Sequence, residues 1–388
     1  GNVPEKGEDL NTILKQLNPK TIVFTGEECD KTLIGDVSLA KDQSILLYQD
    51  GDIVYISNAD EQNILTSEDM ALAFKDLTLL ESIDLSHLDF QNCEDMSSMF
   101  ENDLKLSAIT SLDQIDTKQV TSMKRLFKDC ENITSLNIRG WDVSSVRNMA
   151  SMFENCAKLK TLSLASWDVS SVEDLSAMFH NCEKLSVIGD LSCWDIGNVR
   201  DFSYMFANAT SLTDYLDPSS WNIPNKCENL SYMFQNVGSS LNKDLDLRSW
   251  NVCNVKTIAH MFENNESIES LDIRGWDTSN LEDASSVFAF LETGILCKLE
   301  TINGIEDLDV SSLKNLSKAF YECQYFNNDL SAWNTASLQD LSYAFYGTYR
   351  FDTGKLKHWN VSNVLNMNEC FGDHAGAFLN AEIPEWYQ

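Results

Sequence analysis

The sequence predicts an α/β solenoid in which each repeat of about 26 residues supplies one short parallel strand and one short helix. Three observations carry this. The fragment WDVSSV occurs at 141–146 and again at 167–172, an offset of 26 residues. Phenylalanine recurs at Phe74, Phe100, Phe127, Phe153, Phe179, Phe206, Phe234, Phe262, Phe288, Phe320, Phe345 and Phe371, in steps of 25 to 28 residues except for one of 32. A second marker, usually tryptophan, precedes each phenylalanine from Phe100 onward by 12 residues, or 13 for Trp221. A fixed period of this size marks units that stack on one another, because one unit alone cannot bury its apolar face.

Residues 156–182 show the expected unit. Leu162 and Leu164 alternate with Thr161, Ser163 and Ala165, the period of a strand buried on one face. Ser170 and Ser171 offer a cap. Val172, Leu175, Met178, Phe179 and Cys182 then read as one apolar helical stripe. The predicted helix has two to three turns, too short to persist alone in water, so it must pack on its neighbours. The residue after the second marker is always Asp or Asn, from Asp89 to Asn360. Its short side chain bonds the backbone two residues on, or caps the helix, which is a structural role rather than a catalytic one.

The frame L-x-x-L-x-L-x-x-W is that of leucine-rich repeats with tryptophan in place of asparagine or cysteine. The fuller pattern, carried by 141–146, 167–172 and 359–364, resembles the BspA-like leucine-rich-repeat surface proteins of bacteria, including surface lipoproteins. The resemblance implies a non-enzymatic protein displayed at the cell surface or secreted. It also implies adhesion through the repeat surface to a protein or extracellular-matrix partner, with a lipid anchor possible upstream. Leu88, Ile115 and Leu308 depart from tryptophan, and the step of 32 residues before Phe320 holds an insertion.

Three regions follow from the pattern. Residues 1–65 lack the repeat and form an N-terminal cap, with strands at 20–25, 44–48 and 53–57 and a hairpin turn at Asp50-Gly51. Its physical task is to cover the open sheet edge. Residues 66–371 are the array of about 11–12 repeats, and 372–388 are a C-terminal cap or a linker stump. The start at Gly1 reads as a cleavage remnant, and neither an export signal nor an apolar run long enough for a membrane span is present in this sequence.

The chain has 388 residues, 43% hydrophobic, enough for a continuous core. Lys+Arg is 28 against Asp+Glu 60, for a net charge of −32. Such a chain is repelled by nucleic acid and by anionic membranes, and a soluble monomer is expected. The 11 cysteines form no C-x-x-C motif, and Cys130, Cys156, Cys182 and Cys323 recur three residues after the phenylalanine. These are small buried hydrophobes rather than a disulfide or zinc framework. Free thiols suit a reducing setting, which keeps an intracellular interaction scaffold open beside the surface reading, as is a self-assembling envelope component.

No catalytic or metal motif stands out. The histidines His87, His180, His260, His358 and His374 lack partners at metal spacing, and no cofactor is implied. The register of eight tryptophans is core, not a sugar-stacking platform. One surface pattern remains. Asp190, Asp217, Asp246 and Asp272 lie four residues before the second marker on consecutive rungs, with Arg139, Arg248 and Arg274 two residues before it. Like charges across neighbouring strands destabilise a sheet, so the acidic row needs relief from arginine and water, from a basic protein partner, or from a cation such as calcium. These seven residues are the candidate partner-binding set.

Overall fold

The computed structural model describes residues 4–213 and 217–387. The reading of Gly1, and the last residue of the 372–388 segment, lie outside the described residues. The chain divides into two compact units, Gly1–Asp195 with Leu212–Tyr215, and Ile196–Ser211 with Leu216–Gln388.

The first unit opens with α1 (Gly7–Leu17), a helix in place of the strand-only cap expected from the sequence. Glu8 and Asp9 in its first turn and Lys15 in its last suit the helix dipole. Leu10 and Leu14 are buried one turn apart. The helix ends at Asn18, whose left-handed backbone (φ 46°) returns its N–H to Leu14 O. Eight strands follow: β1 (Thr21–Thr25), β2 (Thr32–Asp36), β3 (Leu46–Asp50), β4 (Ile53–Ser57), β5 (Ile64–Leu65), β6 (Ser82–Asp84), β7 (Leu88–Asp89) and β8 (Ala108–Thr110). Six form one sheet in the order β2-β3-β4-β1-β6-β8, while β5 pairs with β7. β3 and β4 are the expected hairpin, turning at Gly51 (φ 59°). β1 lies parallel to β6, the first repeat strand, so the non-repeating strands continue the repeat sheet.

In the second unit β9 (Asp244–Asp246), β10 (Ser270–Asp272) and β11 (Thr301–Asn303) form a parallel sheet. Other repeats contribute only isolated parallel bridges where a strand was expected, such as Ser135↔Thr161 and Thr161↔Val187.

The helix expected in each repeat is corrected. Among the described residues α1 is the one α-helix, and the Met-Phe stretch of each repeat is a chain of overlapping turns. In residues 96–103, the amides of Met99, Glu101 and Asp103 donate to Met96 O, Ser98 O and Phe100 O, each three residues back. The alternate amides of Met96, Ser98, Phe100 and Asn102 donate instead to Ser122, Lys124, Leu126 and Lys128 of the next repeat. A helix would keep all these bonds to itself, and so short a helix is costly to nucleate. The turn ribbon gives half of them to the neighbour, which satisfies every amide and joins the coils. The apolar spacing of three, three, one and three serves either form, since turns closing at i+3 also bring those residues to one side.

The ribbon requires two left-handed residues per coil, such as Ser98 (φ 57°) and Asn102 (φ 63°). Asparagine tolerates this region best among residues with a Cβ, and Asn102, Asn155, Asn181, Asn208, Asn236 and Asn264 occupy the second site. The amides also bond along the stack: Asn155 Nδ2 donates to Asp129 Oδ1 and Asn181 Nδ2 to Asn155 Oδ1, both at 2.7 Å.

The core follows the two markers. In the first unit the rings of Phe74, Phe100, Phe127, Phe153 and Phe179 stack with centroids 5.4 to 5.9 Å apart. In the second, Phe206 to Phe371 do so at 5.5 to 5.9 Å. The marker tryptophans are buried, apart from the partly buried Trp276. Trp386 extends the column: it stacks on Trp359 at 6.5 Å, and its indole donates to Leu356 O at 2.9 Å.

Candidate binding surface

β9, β10 and β11 bury Leu245, Leu271 and Ile302 and turn the alternate residues outward. Asp246 and Asp272 are direct partners in the parallel register. Two carboxylates so placed repel, and the structure relieves them twice. Each Oδ1 accepts the main-chain N–H two residues on, Arg248 for Asp246 and Arg274 for Asp272, both at 3.1 Å. Each carboxylate is also gripped by the guanidinium of that arginine. Arg248 donates Nε and Nη2 to Asp246 at 3.0 and 2.8 Å. Arg274 does the same to Asp272 at 3.0 and 2.7 Å. Arg248 Nε also lies 3.4 Å from Asp272 Oδ2, which joins the two pairs.

The Arg248 side chain and amide hold the Asp246 carboxyl down at about 2. Arg274 holds that of Asp272 below the usual range. Both arginine side chains are about half exposed, at 52% and 59%. A forked pair fixes a guanidinium in one plane, and Nη1 of each makes no hydrogen bond with the described residues. Two planar, pre-oriented donor edges therefore stand on a regular sheet. The carboxylate oxygens are already committed, so a cation here would have to displace arginine.

The neighbouring structure holds this patch still. Asn328 bonds both Ile302 N and Ile302 O at 3.1 Å with its side-chain amide, standing in for a missing strand on the β11 edge. Gly304 (φ +95°) crosses Arg274 so closely that a Cβ would lie 2.8 Å from the Arg274 main chain.

The acidic row expected over four rungs is narrower in the structure. Asp190 and Asp217 are not in strands; they cap short 3-10 turns at Leu191–Cys193 and Pro218–Ser220, accepting from Ser192 N and Ser219 N. Gly189 (φ 87°) and Pro218 bend the chain out of extended form there. Asp190 belongs to the first unit and Asp217 to the second. Arg139, in the first unit, is exposed and forms no ion pair with the described residues.

Three further columns went unread in the sequence. Five residues before each phenylalanine stands Asp, Asn, Ser or Thr, and its side chain accepts the N–H two residues on, as Asp174 does from Ser176 at 2.8 Å. One residue after the phenylalanine, Lys75, Glu101, Lys128 and Glu154 alternate in charge and His180 continues the row, with contacts of 3.5, 3.2 and 2.6 Å for Lys75–Glu101, Lys128–Glu154 and Glu154–His180. Tyr204, Tyr232 and His260 stack at 4.2 and 4.3 Å. Reading the alignment of repeats by column rather than by motif exposes all three.

Among the described residues no group of three or more His, Cys, Asp or Glu is placed to hold a metal ion, and no helix is long and apolar enough to cross a membrane. Residues 68–187, 121–246, 219–293 and 295–388 match the family described as Mycoplasma protein of unknown function, DUF285. The chain belongs to the DUF285 family. The first DUF285 match starts one residue before Asp69, where the turn ribbons begin, and the last takes in Trp386. No curated protein matches the chain. A leucine-rich repeat protein from Bacteroides ovatus is similar in structure over 85% of this chain and 89% of its own, at 16% identity and a TM-score of 0.38.

Proposed function

We propose that this DUF285 chain is a non-enzymatic leucine-rich-repeat solenoid, displayed at the cell surface or secreted, that binds a protein or matrix partner through its sheet face. The division into a cap at 1–65, an array at 66–371 and a closing segment at 372–388 is part of this reading. The observation that carries it is the Asp246–Arg248–Asp272–Arg274 array: two half-exposed arginine side chains, each fixed by a carboxylate and each with a free donor edge. Pre-oriented arginine loses little freedom on binding and suits carboxylates and main-chain carbonyls. The W-[DN]-V-S motif of the BspA-like surface proteins supports the location and the adhesive role. Asp217, in a turn of the same unit, is retained as an outer member of the set, while Asp190 and Arg139 stay separate partner-binding candidates on the first unit.

The test is binding of the purified protein to an array of matrix proteins and glycans, repeated with Arg248→Ala/Arg274→Ala. Expected is a loss of ten-fold or more in affinity for a protein ligand, with unchanged circular dichroism. Binding that ignores both substitutions would move the site off this face. A second reading, an intracellular scaffold, is favoured by one observation: all eleven cysteines are free thiols. Fractionation of the source cells separates the two locations.

A further inference from the structure

The two ends of the repeat array are treated differently. At the described junctions within a unit, the main-chain hydrogen bonds between neighbouring coils always include the same three. The amides four and two residues before the phenylalanine donate forward, as Met149 and Ser151 do to Asp174 O and Ser176 O. The amide six residues before it donates backward, as Glu173 does to Arg147 O. The coil ending at Phe371 takes part only on its earlier side: Leu341 and Tyr343 donate to Asn366 O and Asn368 O, and Leu365 donates to Gln339 O. The amides of Met367 and Glu369 donate to no described main-chain group, and no described main-chain amide donates to Leu365 O. Leu365 itself is 87% exposed, in a column that holds Arg147, Glu173, Glu228, Lys256 and Lys314 elsewhere.

The coil ending at Phe74 presents the complementary edge, and α1 covers it. Gly7 N donates to Asp69 O at 2.9 Å. Asn11 Nδ2 donates to Lys75 O at 2.7 Å and reaches Ala73 O at 3.5 Å. A Cβ at Gly7 would stand 2.0 Å from Ala71 O, so α1 sits where it does only because residue 7 is glycine. These helix groups supply donors to Asp69 O, Ala73 O and Lys75 O, positions that a preceding coil serves at the described junctions within a unit.

We infer that α1 is a stop against end-to-end stacking of this chain, and that the Leu365–Glu369 edge is the acceptor for the first coil of a second copy whose α1 has been displaced. The bonds follow from the interior pattern. Met367 N and Glu369 N donate to the second copy's Asp69 O and Ala71 O, and the second copy's Glu68 N donates to Leu365 O. Trp386 and Tyr387 already cover the Phe371 ring, so the contact is confined to the Leu365–Glu369 side. This inference is independent of the sheet-face reading. With −32 charges on each copy, stacking strengthens as salt screens their repulsion.

The test keeps the full chain and dislodges α1 with Gly7→Val/Asn11→Asp, read by sedimentation velocity at low and high salt. Expected is a monomer for the parent chain and concentration-dependent oligomers for the double variant, larger at high salt. Adding Met367→Pro, which removes one donor, returns the variant to a monomer. Mixed with the parent chain, this triple variant then gives a species of two copies and no larger. The inference is overturned if the double variant stays monomeric, if its oligomers survive Met367→Pro, or if no two-copy species forms. Loss of the folded circular-dichroism signal in the double variant also overturns it, because stacking requires the first coil to stand without α1.

Discussion

The indole N–H of Trp167 donates to the main-chain carbonyl of Ile138, 3.1 Å away and one coil earlier. Trp194 repeats this with Leu164 O and Trp359 with Leu330 O. The tryptophan column is therefore both apolar filling and a line of buried hydrogen bonds. Trp167→Phe keeps an aromatic ring but removes one of the two donors to Ile138 O, which still accepts the main-chain N–H of Trp141 at 3.1 Å. Loss of one such bond costs about 0.5–1.5 kcal/mol, so the urea midpoint should fall. A midpoint within error of the parent's would mean the indole bond contributes nothing.

The asparagine column allows strain and bonding to be told apart. Asn155 holds φ 62° and bonds Asp129 and Asn181 on either side. Asn155→Ala keeps the strained backbone and loses both bonds, for about 1–3 kcal/mol. Asn155→Gly frees the backbone but still loses the bonds, and falls between the two in thermal melts. Equality of the glycine variant with the parent would assign the column to backbone geometry alone.

Much of this was legible in the sequence because it depends on period. The Phe and Trp columns, the hairpin at Asp50-Gly51 and the Asp or Asn turns after the second marker all follow from side chains at fixed offsets. Asp168, for instance, accepts Ser170 N at 3.0 Å. The turn ribbon was not legible. Val172, Leu175, Met178 and Phe179 point inward from a helix or from stacked turns alike, and the choice depends on bonds to residues 26 positions away. α1 was missed because its apolar face is two leucines, Leu10 and Leu14, with a buried Asn11 between them. The row from Asp190 to Asp272 failed at Pro218 and Gly189, where local turn chemistry overrode the column.

The departure at Leu308 has a visible consequence. A small apolar cavity of about 40 Å³ lies among Phe262, Trp276, Phe288, Leu308 and Trp333. Leucine there lacks both the volume and the indole donor of its column. Leu308→Trp should fill the space and gain a bond to the preceding coil, stabilising by about 0.5–2 kcal/mol. A lower melting temperature would show that the insertion before Phe320 has closed the site to an indole.

The thiols divide by environment. Cys130, Cys156 and Cys182 each bond the main-chain carbonyl of a phenylalanine in the preceding coil, at 3.1, 3.2 and 3.0 Å. Burial pushes all three upward, Cys182 to about 12. Cys193 is exposed. Since the thiolate is the reactive form, iodoacetamide at neutral pH should modify Cys193 first and reach the buried three only in denaturant. Early labelling of Cys156 by mass spectrometry would contradict the dry column.

Glu154 gives the fold a dependence on acid. Its carboxylate, half-buried, meets Lys128 Nζ at 3.2 Å and His180 Nδ1 at 2.6 Å. Burial pushes its carboxyl up, but the His180 bond and the Lys128 charge outweigh this, and it lies below the usual glutamate range. A carboxyl depressed in the folded state binds its proton more weakly there than when unfolded. Its contribution is therefore complete above the unfolded value of about 4.3 and is lost as pH falls through the lower folded value. Glu154→Gln removes that contribution at every pH. Denaturant unfolding of parent and variant should differ by about 1–3 kcal/mol at pH 7, and the two curves should converge as pH drops below about 4.3. A gap that stays constant down to acid would show that the amide disturbs packing rather than charge.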